Sequence, residues 1–427
     1  MRGDARFWLA AASLCLNLWA AAVVAAERIT EIRFIGNKVT RPETFLQEMT
    51  VEVGDPADAV EIERSRQAIM DLGLYKRVDA TLLPAPDGKI LQIAVEEKRY
   101  FLPIPRLNRN ADGDISYGAQ LRLDNLFGLN QQFKLTYEQT KVQDGTSDTV
   151  NEIAATYAYP RVRRTPYNVS VDARYSERAV EAIAEGYPGE FYDLTSQGVV
   201  ITGSRFLRRR GPSRGYSVSA GVGYAYDKYR LPASLPPVRS DQERFYWHGG
   251  IGFADVRDYL YSREGVSYGY SLEFALEALG GNDDYSRHVF NFRRYDPISD
   301  KPHRNIDWQV QFGISEGVEE QRVFLLGSSS TLRGYPRDSI YGQAFLLANV
   351  EYLHPLFDRN ELRGLAFIDV GNAYDRHAID LTDMKHAVGV GLRYSIESFV
   401  KIQLRLDAGY AVDTGDYKIY AGTKDTF

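Results

Sequence analysis

A polar stretch from Phe324 closes on Leu332-Arg333-Gly334-Tyr335, and carboxylates follow in Asn349-Val-Glu351-Tyr and Phe367-Ile-Asp369-Val-Gly371. The chemistry these residues offer is ionic. A guanidinium binds carboxylates through a planar fork that an ammonium cannot reproduce. Gly334 permits close backbone approach or an unusual φ angle, and Tyr335 supplies packing area. Covalent chemistry finds no comparable support. Gly327-Ser-Ser-Ser330 lacks the second glycine of a nucleophile elbow. The six histidines (248, 288, 303, 354, 377 and 386) never take His-x-x-x-His spacing. Asp283-Asp284 reads as a solvated loop, and no phosphate-binding loop is present. The expectation is a protein that is not an enzyme, with no metal and no cofactor.

The N-terminus reads as a secretory signal over residues 1–26. Arg2 and Arg6 precede an apolar, Ala-rich run from Phe7 to Val24, and Val24-Ala-Ala26 suits cleavage before Glu27. A membrane anchor is the competing reading; the small-residue end favours the signal. Cys15, the only cysteine, lies in this run behind bulky Leu14, a poor setting for lipidation, so the mature chain has no disulfide framework or thiolate site. Taking two Arg and one Asp from 51 basic and 57 acidic residues leaves 49 against 56, a net charge of −7. A nucleic-acid partner would want a basic face. Mean hydropathy is −0.35, and no later apolar run nears the ~20 residues of a membrane helix. With 29 Tyr and 36 Gly, the composition suits an outer-membrane barrel, in which alternate residues face lipid. A large secreted β-sandwich has similar composition.

The elements that must position the charged residues fall into two regions. Residues 27–98 read as a small β-α-α-β-β domain. Ile29 to Ile35 is strand-like, and Thr40-Arg-Pro-Glu43 matches a capping box with Pro42 in the first turn. Asp55 is the expected N-cap of a second helix that Gly73 stops. Strands at 78–83 and 89–96 meet across Pro86-Asp87-Gly88. From residue 99 to 427 the period becomes two. Val400, Ile402, Leu404, Leu406 and Ala408 alternate with Lys401, Gln403, Arg405 and Asp407. Segments of this kind number sixteen: 101–108, 115–124, 132–141, 150–159, 167–176, 196–207, 215–229, 243–254, 265–277, 287–295, 307–316, 343–353, 362–370, 386–395, 400–411 and 417–427. Long connections at 177–195, 230–242, 317–342 and 371–385 alternate with tight ones at Asn125–Gly128 and Ser395–Ser398. Exceptions are a long connection at 296–306 and basic turns at Arg161–Arg164 and Arg208–Arg210, to which no site is assigned.

The small domain, with Leu72-Gly73-Leu-Tyr75-x-x-Val78, resembles a POTRA domain. The Arg-Gly-Tyr and Phe-x-Asp-x-Gly segments resemble the BamA/TamA superfamily of outer-membrane assembly and translocation barrels. The resemblance implies a membrane all-β fold: a 16-stranded transmembrane β-barrel behind one periplasmic POTRA domain. It implies that the loop carrying Leu332, Arg333, Gly334 and Tyr335 folds into the lumen. There Arg333 would pair with Asp369 and Glu351, with Phe367 and Gly371 as motif packing. Period-two parity agrees, placing Asn349, Glu351 and Asp369 inward and Ala348, Val350, Tyr352, Ile368 and Val370 outward.

In the family the first and last strands form a weakly paired seam that can open sideways. Here it would join 101–108 to 417–427. Pro103 and Pro105 lack the N–H a ladder needs, although both could instead belong to a linker. Tyr417, Ile419 and Phe427 resemble a barrel's C-terminal recognition signal. Implied partners are unfolded outer-membrane or secreted client polypeptides, outer-membrane lipids and lipopolysaccharide, and periplasmic or lipoprotein companions. The POTRA domain would either add clients to a strand edge or only orient the barrel. A two-partner-type secretion pore and a passive channel are the alternative functions. Leu332 replaces the family's frequent Val or Ile, only one POTRA domain fits, and no plug helix is evident.

Overall fold

A computed structural model describes residues 27–109, 115–141, 149–181, 187, 190–211, 214–236, 240–280, 284–298, 303–317, 323–336, 338–399 and 403–422. The signal segment and the terminal Phe427 lie outside the described residues, as do Lys401, Ile402 and Asp283.

The first domain comprises β1 (Ile29–Ile35), α1 (Pro42–Leu46), α2 (Ala59–Met70), β2 (Tyr75–Ala85) and β3 (Gly88–Glu97). β3 is central, parallel to β1 and antiparallel to β2, so β1 and β2 are both edges. Ile62, Ser65, Ala68 and Ile69 place the buried face of α2 on one side at helical spacing. Of these, Ile62 and Ile69 pack with Phe45, Leu74, Leu91 and Ile93, the last four solvent-free. Each such apolar side chain contributes roughly 1.5–3 kcal/mol by leaving water.

Both expected helix caps are corrected. Thr40 does not cap α1; its hydroxyl donates to Glu97 Oε1 at 2.6 Å, and Arg41 stands at the N-cap without a side-chain bond. The Glu97 carboxylate also accepts the N–H groups of Lys38 and Thr40, which draws the threonine away from the helix. Asp58, not Asp55, caps α2, accepting from Val60 N at 2.7 Å. Asp55 instead closes the preceding turn by accepting from Glu52 N. The two hairpin strands are also longer than the sequence suggested.

The second region is a sheet of sixteen antiparallel strands. In order they are β4 (Phe101–Arg109), β5 (Ile115–Leu126), β6 (Gln131–Lys141), β7 (Thr149–Tyr159), β8 (Tyr167–Glu181), β9 (Phe191–Gly211), β10 (Arg214–Arg230), β11 (Gln242–Asp258), β12 (Arg263–Ala275), β13 (Tyr285–Pro297) and β14 (Asn305–Glu316). A long connection holds the short hairpin β15 (Phe324–Leu326) and β16 (Ile340–Gly342), which sequence periodicity did not reveal. Then come β17 (Ala344–Leu356), β18 (Arg359–Tyr374), β19 (Lys385–Ser395), β20 (Gln403–Ala411) and β21 (Tyr417–Gly422). Each pairs with the next, β14 pairing with β17 across the hairpin, so the expected sixteen-stranded architecture is present. β9 runs through Arg208–Arg210, which are therefore strand rather than turn. β13 continues to Pro297, which shortens the long connection expected at 296–306. No described helix is long and apolar enough to cross a membrane. The strands' outer face is apolar: Leu404, Leu406 and Tyr410 are exposed on β20 while Arg405 and Asp407 between them are buried.

The small domain docks on the turns at one end of this sheet. Thr44 donates to the Gly128 carbonyl at 2.7 Å, and Asn125 Nδ2 donates to Thr40 Oγ1 at 2.8 Å. Arg161 donates to the Gln47 carbonyl and approaches Glu48 to 3.9 Å, Arg164 lies 3.4 Å from Glu43, and Arg214 lies 3.5 Å from Asp71. The Arg161–Arg164 turn thus serves the domain contact. Burial pushes the Glu48 carboxyl up to about 7 against the attraction of Arg161, and burial raises Asp71 as well.

Candidate functional site

β17 and β18 set two carboxylates side by side. Asn349 opposes Asp369 and Glu351 opposes Phe367, so all four side chains face inward, while Val350, Tyr352 and Ile368 are exposed outside. Next to them the inward column of β19 is small: Ala387, Gly389 and Gly391. The Phe367 ring and Asp407 fill the space over Gly389 and Gly391, and loop 327–336 lies against Gly409 of β20, with Arg333 fully buried.

Arg333 grips Asp369 with both sides of its fork, Nε to Oδ2 and Nη2 to Oδ1, each at 2.7 Å. Its Nη1 donates to Glu351 Oε1 at 2.5 Å and stands 3.6 Å from Asp407. The guanidinium carbon lies 3.4 Å from the centroid of the Phe367 ring, a cation–π contact. Asn349 Nδ2 donates to the Thr331 carbonyl and to Asp369 Oδ1, both at 2.7 Å. Gly334 has φ +97, and a Cβ there would sit 2.7 Å from the Ala411 nitrogen, so only glycine fits between loop and wall. Leu332 and Tyr335 are buried in a small apolar cluster with Phe324, Leu326, Phe345 and Leu347. Tyr335 is more than packing: its hydroxyl also bonds the His386 carbonyl at 3.0 Å and Asp413. Gly371 pairs with Leu347 and Lys385 farther along β18, away from the guanidinium.

The site is larger than the sequence reading made it. Arg393 bonds Asp407 and, at 3.2 Å, Glu351. Arg405 bonds Asp407 and the Ser329 carbonyl, the latter at 2.8 Å. Three guanidiniums and three carboxylates therefore balance in charge, which is how buried charge is tolerated. The alternation along β20 already put Arg405 and Asp407 on the inner face; pairing with a distant loop is what a single strand pattern does not show.

The seam residues lie elsewhere on the sheet. Pro103 and Pro105 are inside β4, not in a linker, opposite Leu121 and Ala119. Asp124 N donates to the Tyr100 carbonyl at 2.7 Å, and the register pairs Phe101 with Leu123. Residues of an antiparallel ladder alternate between their two neighbours. Even-numbered residues of β4 therefore bond β5, and Pro103 and Pro105 present their nitrogens to the other side. On that side stands β21, and among the described residues no ladder joins it to β4. β21 is six residues long. Tyr417 and Ile419 are exposed on its outer face.

Residues 125–419 match the Omp85 superfamily domain, and residues 27–98 match the surface antigen variable number repeat, a POTRA module. The outer membrane protein assembly factor BamA of Nitratidesulfovibrio vulgaris is 24% identical over 416 residues, covering 91% of this chain and 49% of that protein. The chain thus spans about half the length of that relative. Among solved structures, BamA from Haemophilus ducreyi lacking POTRA domains 1–3 aligns at TM-score 0.58 and 17% identity, over 93% of this chain and 84% of that one. CdiB from Acinetobacter baumannii aligns at TM-score 0.64 and 14% identity (93% and 73% covered), and CdiB from Escherichia coli at 0.61 and 15% (93% and 76%). With a sixteen-stranded barrel, an arginine-bearing loop in its lumen and one POTRA domain in the periplasm, this chain belongs to the Omp85 superfamily of the outer membrane.

Proposed function

We propose that the protein inserts or translocates client polypeptides by offering them a strand edge at the β4–β21 seam. The observation that carries this reading is the seam itself: no ladder joins its strands among the described residues, and two prolines turn their nitrogens toward it. An unpaired edge is a template for another strand. The reaction is an exchange of backbone hydrogen bonds, with no covalent step and no cofactor. The outer edge of β2, and that of β1 beyond Ile29, would take up extended client segments first, with little demand on their sequence.

Quantitative outer-membrane proteomics after deletion tests this. The proposal expects several barrel proteins to fall together. Loss of one secreted protein alone would instead favour a dedicated two-partner-type exporter. A large, steady conductance with an unchanged proteome would favour a passive channel; the loop filling part of the lumen argues against that.

A further inference from the structure

The luminal loop reaches beyond the charged wall to the strand at the seam. Lys418 and Tyr420 lie on the face of β21 opposite Tyr417 and Ile419, the inner one, and there the Tyr420 hydroxyl meets the loop backbone. It accepts from Gly334 N at 3.0 Å and donates to the Tyr335 carbonyl at 3.5 Å. One side chain thus serves a donor and an acceptor of adjacent loop residues. The connection between β20 and β21 adds a second tie, because Tyr335 donates to Asp413. Asp413 also accepts from His386 N at 3.0 Å, joining the β19 end to the same point. The loop and β20 are in close contact between these ties: a Cβ at Gly409 would lie 3.0 Å from the backbone of Arg333. β21 is otherwise held by six partner positions on β20, and among the described residues no ladder joins its far side to β4.

We propose that Tyr420 and Asp413 are positioning residues that fasten the luminal loop to the last hairpin, so that loop displacement and seam opening are one coupled movement. The inference rests on the seam reading above and adds what governs it. A loop seated on Asp369 and Glu351 holds β21 in place through Tyr420. A loop pulled outward takes that support away.

The test uses the full chain with Cys15→Ser, spin labels on Leu102→Cys in β4 and Lys418→Cys in β21, and protease added at the outer face to read loop release. Tyr420→Phe keeps the ring and removes the hydroxyl. It should enlarge the open-seam population roughly two- to tenfold, the effect of one net hydrogen bond or so. Asp413→Asn should act in the same direction. Arg333→Ala, which touches neither seam strand, should release the loop and widen the seam together. Tyr394→Phe, on the outer face of β19, should change neither. An unmoved seam in Tyr420→Phe, or a freed loop with an unmoved seam in Arg333→Ala, overturns the coupling. Client insertion in the same variants separates this from the proposed function. A widened seam with insertion altered supports both; a widened seam with insertion unaltered sinks the function and leaves the coupling, and an unmoved seam with insertion unaltered sinks the coupling and leaves the function.

Discussion

Three arginines and three carboxylates bind the wall of β17–β20 to the loop, whereas β21 meets β4 with no ladder among the described residues. Both regions belong to one sheet and follow one alternation. On the wall, inward positions carry charges in matched pairs, or glycines over which neighbouring side chains and the loop pack. At the seam no ladder joins β4 to β21 among the described residues, and Pro103 and Pro105 bring no N–H to that side.

The largest expected effect comes from removing the central cation. Arg333→Ala would leave Asp369 without its fork and crowd three carboxylates around two arginines. Breaking a buried pair of this kind costs about 3–5 kcal/mol, read as a lower unfolding midpoint in detergent. Arg333→Lys should recover only part of it, because one ammonium cannot span Asp369 and Glu351 together. Asp407→Asn should follow at about 3 kcal/mol, since it serves Arg393 and Arg405 and lies near Arg333. A neutral outcome for both would mean the wall owes its rigidity to the ladder alone.

The seam should respond in the opposite sense. Restoring two N–H groups with Pro103→Ala and Pro105→Ala lets β4 bond β21, at about 0.5–1.5 kcal/mol per bond. Barrel stability should rise while client insertion slows. Faster insertion would break the comparison.

The smallest effect concerns the docked domain. Glu48 holds its proton up to about 7 in the folded protein against an ordinary 4.5. Between those values the folded state binds more protons than the unfolded state. The stabilisation is complete below the lower value and is lost as pH rises through the upper one. Urea unfolding of the domain within the full chain should therefore shift to lower urea as pH rises, and Glu48→Gln should flatten that trend.

Much of this was legible in the sequence because period two is a strict geometric rule. Once Asp369 and Glu351 sit on strands with apolar residues between them, their side is decided. The strand count followed from the same rule. What the rule cannot carry is contact between positions far apart. Arg393 and Tyr420 carry no signal of their own in the sequence; only the folded barrel brings them to Glu351 and to the loop. Thr40 looked like a cap because local spacing allowed it; a carboxylate 57 residues away competes better for its hydroxyl. The β15–β16 hairpin, three residues a side, is too short to show an alternation.

The most direct test of the central claim is a reversible tether across the seam. Cysteines at Leu102 or Ile104 in β4, paired with cysteines at Lys418 or Gly422 in β21, are screened for the pair that closes a disulfide. Insertion of an unfolded barrel client into liposomes carrying the tethered protein is then measured before and after reduction. The account predicts that insertion stops under the tether and returns with reductant. Insertion at full rate through a tethered seam would contradict it.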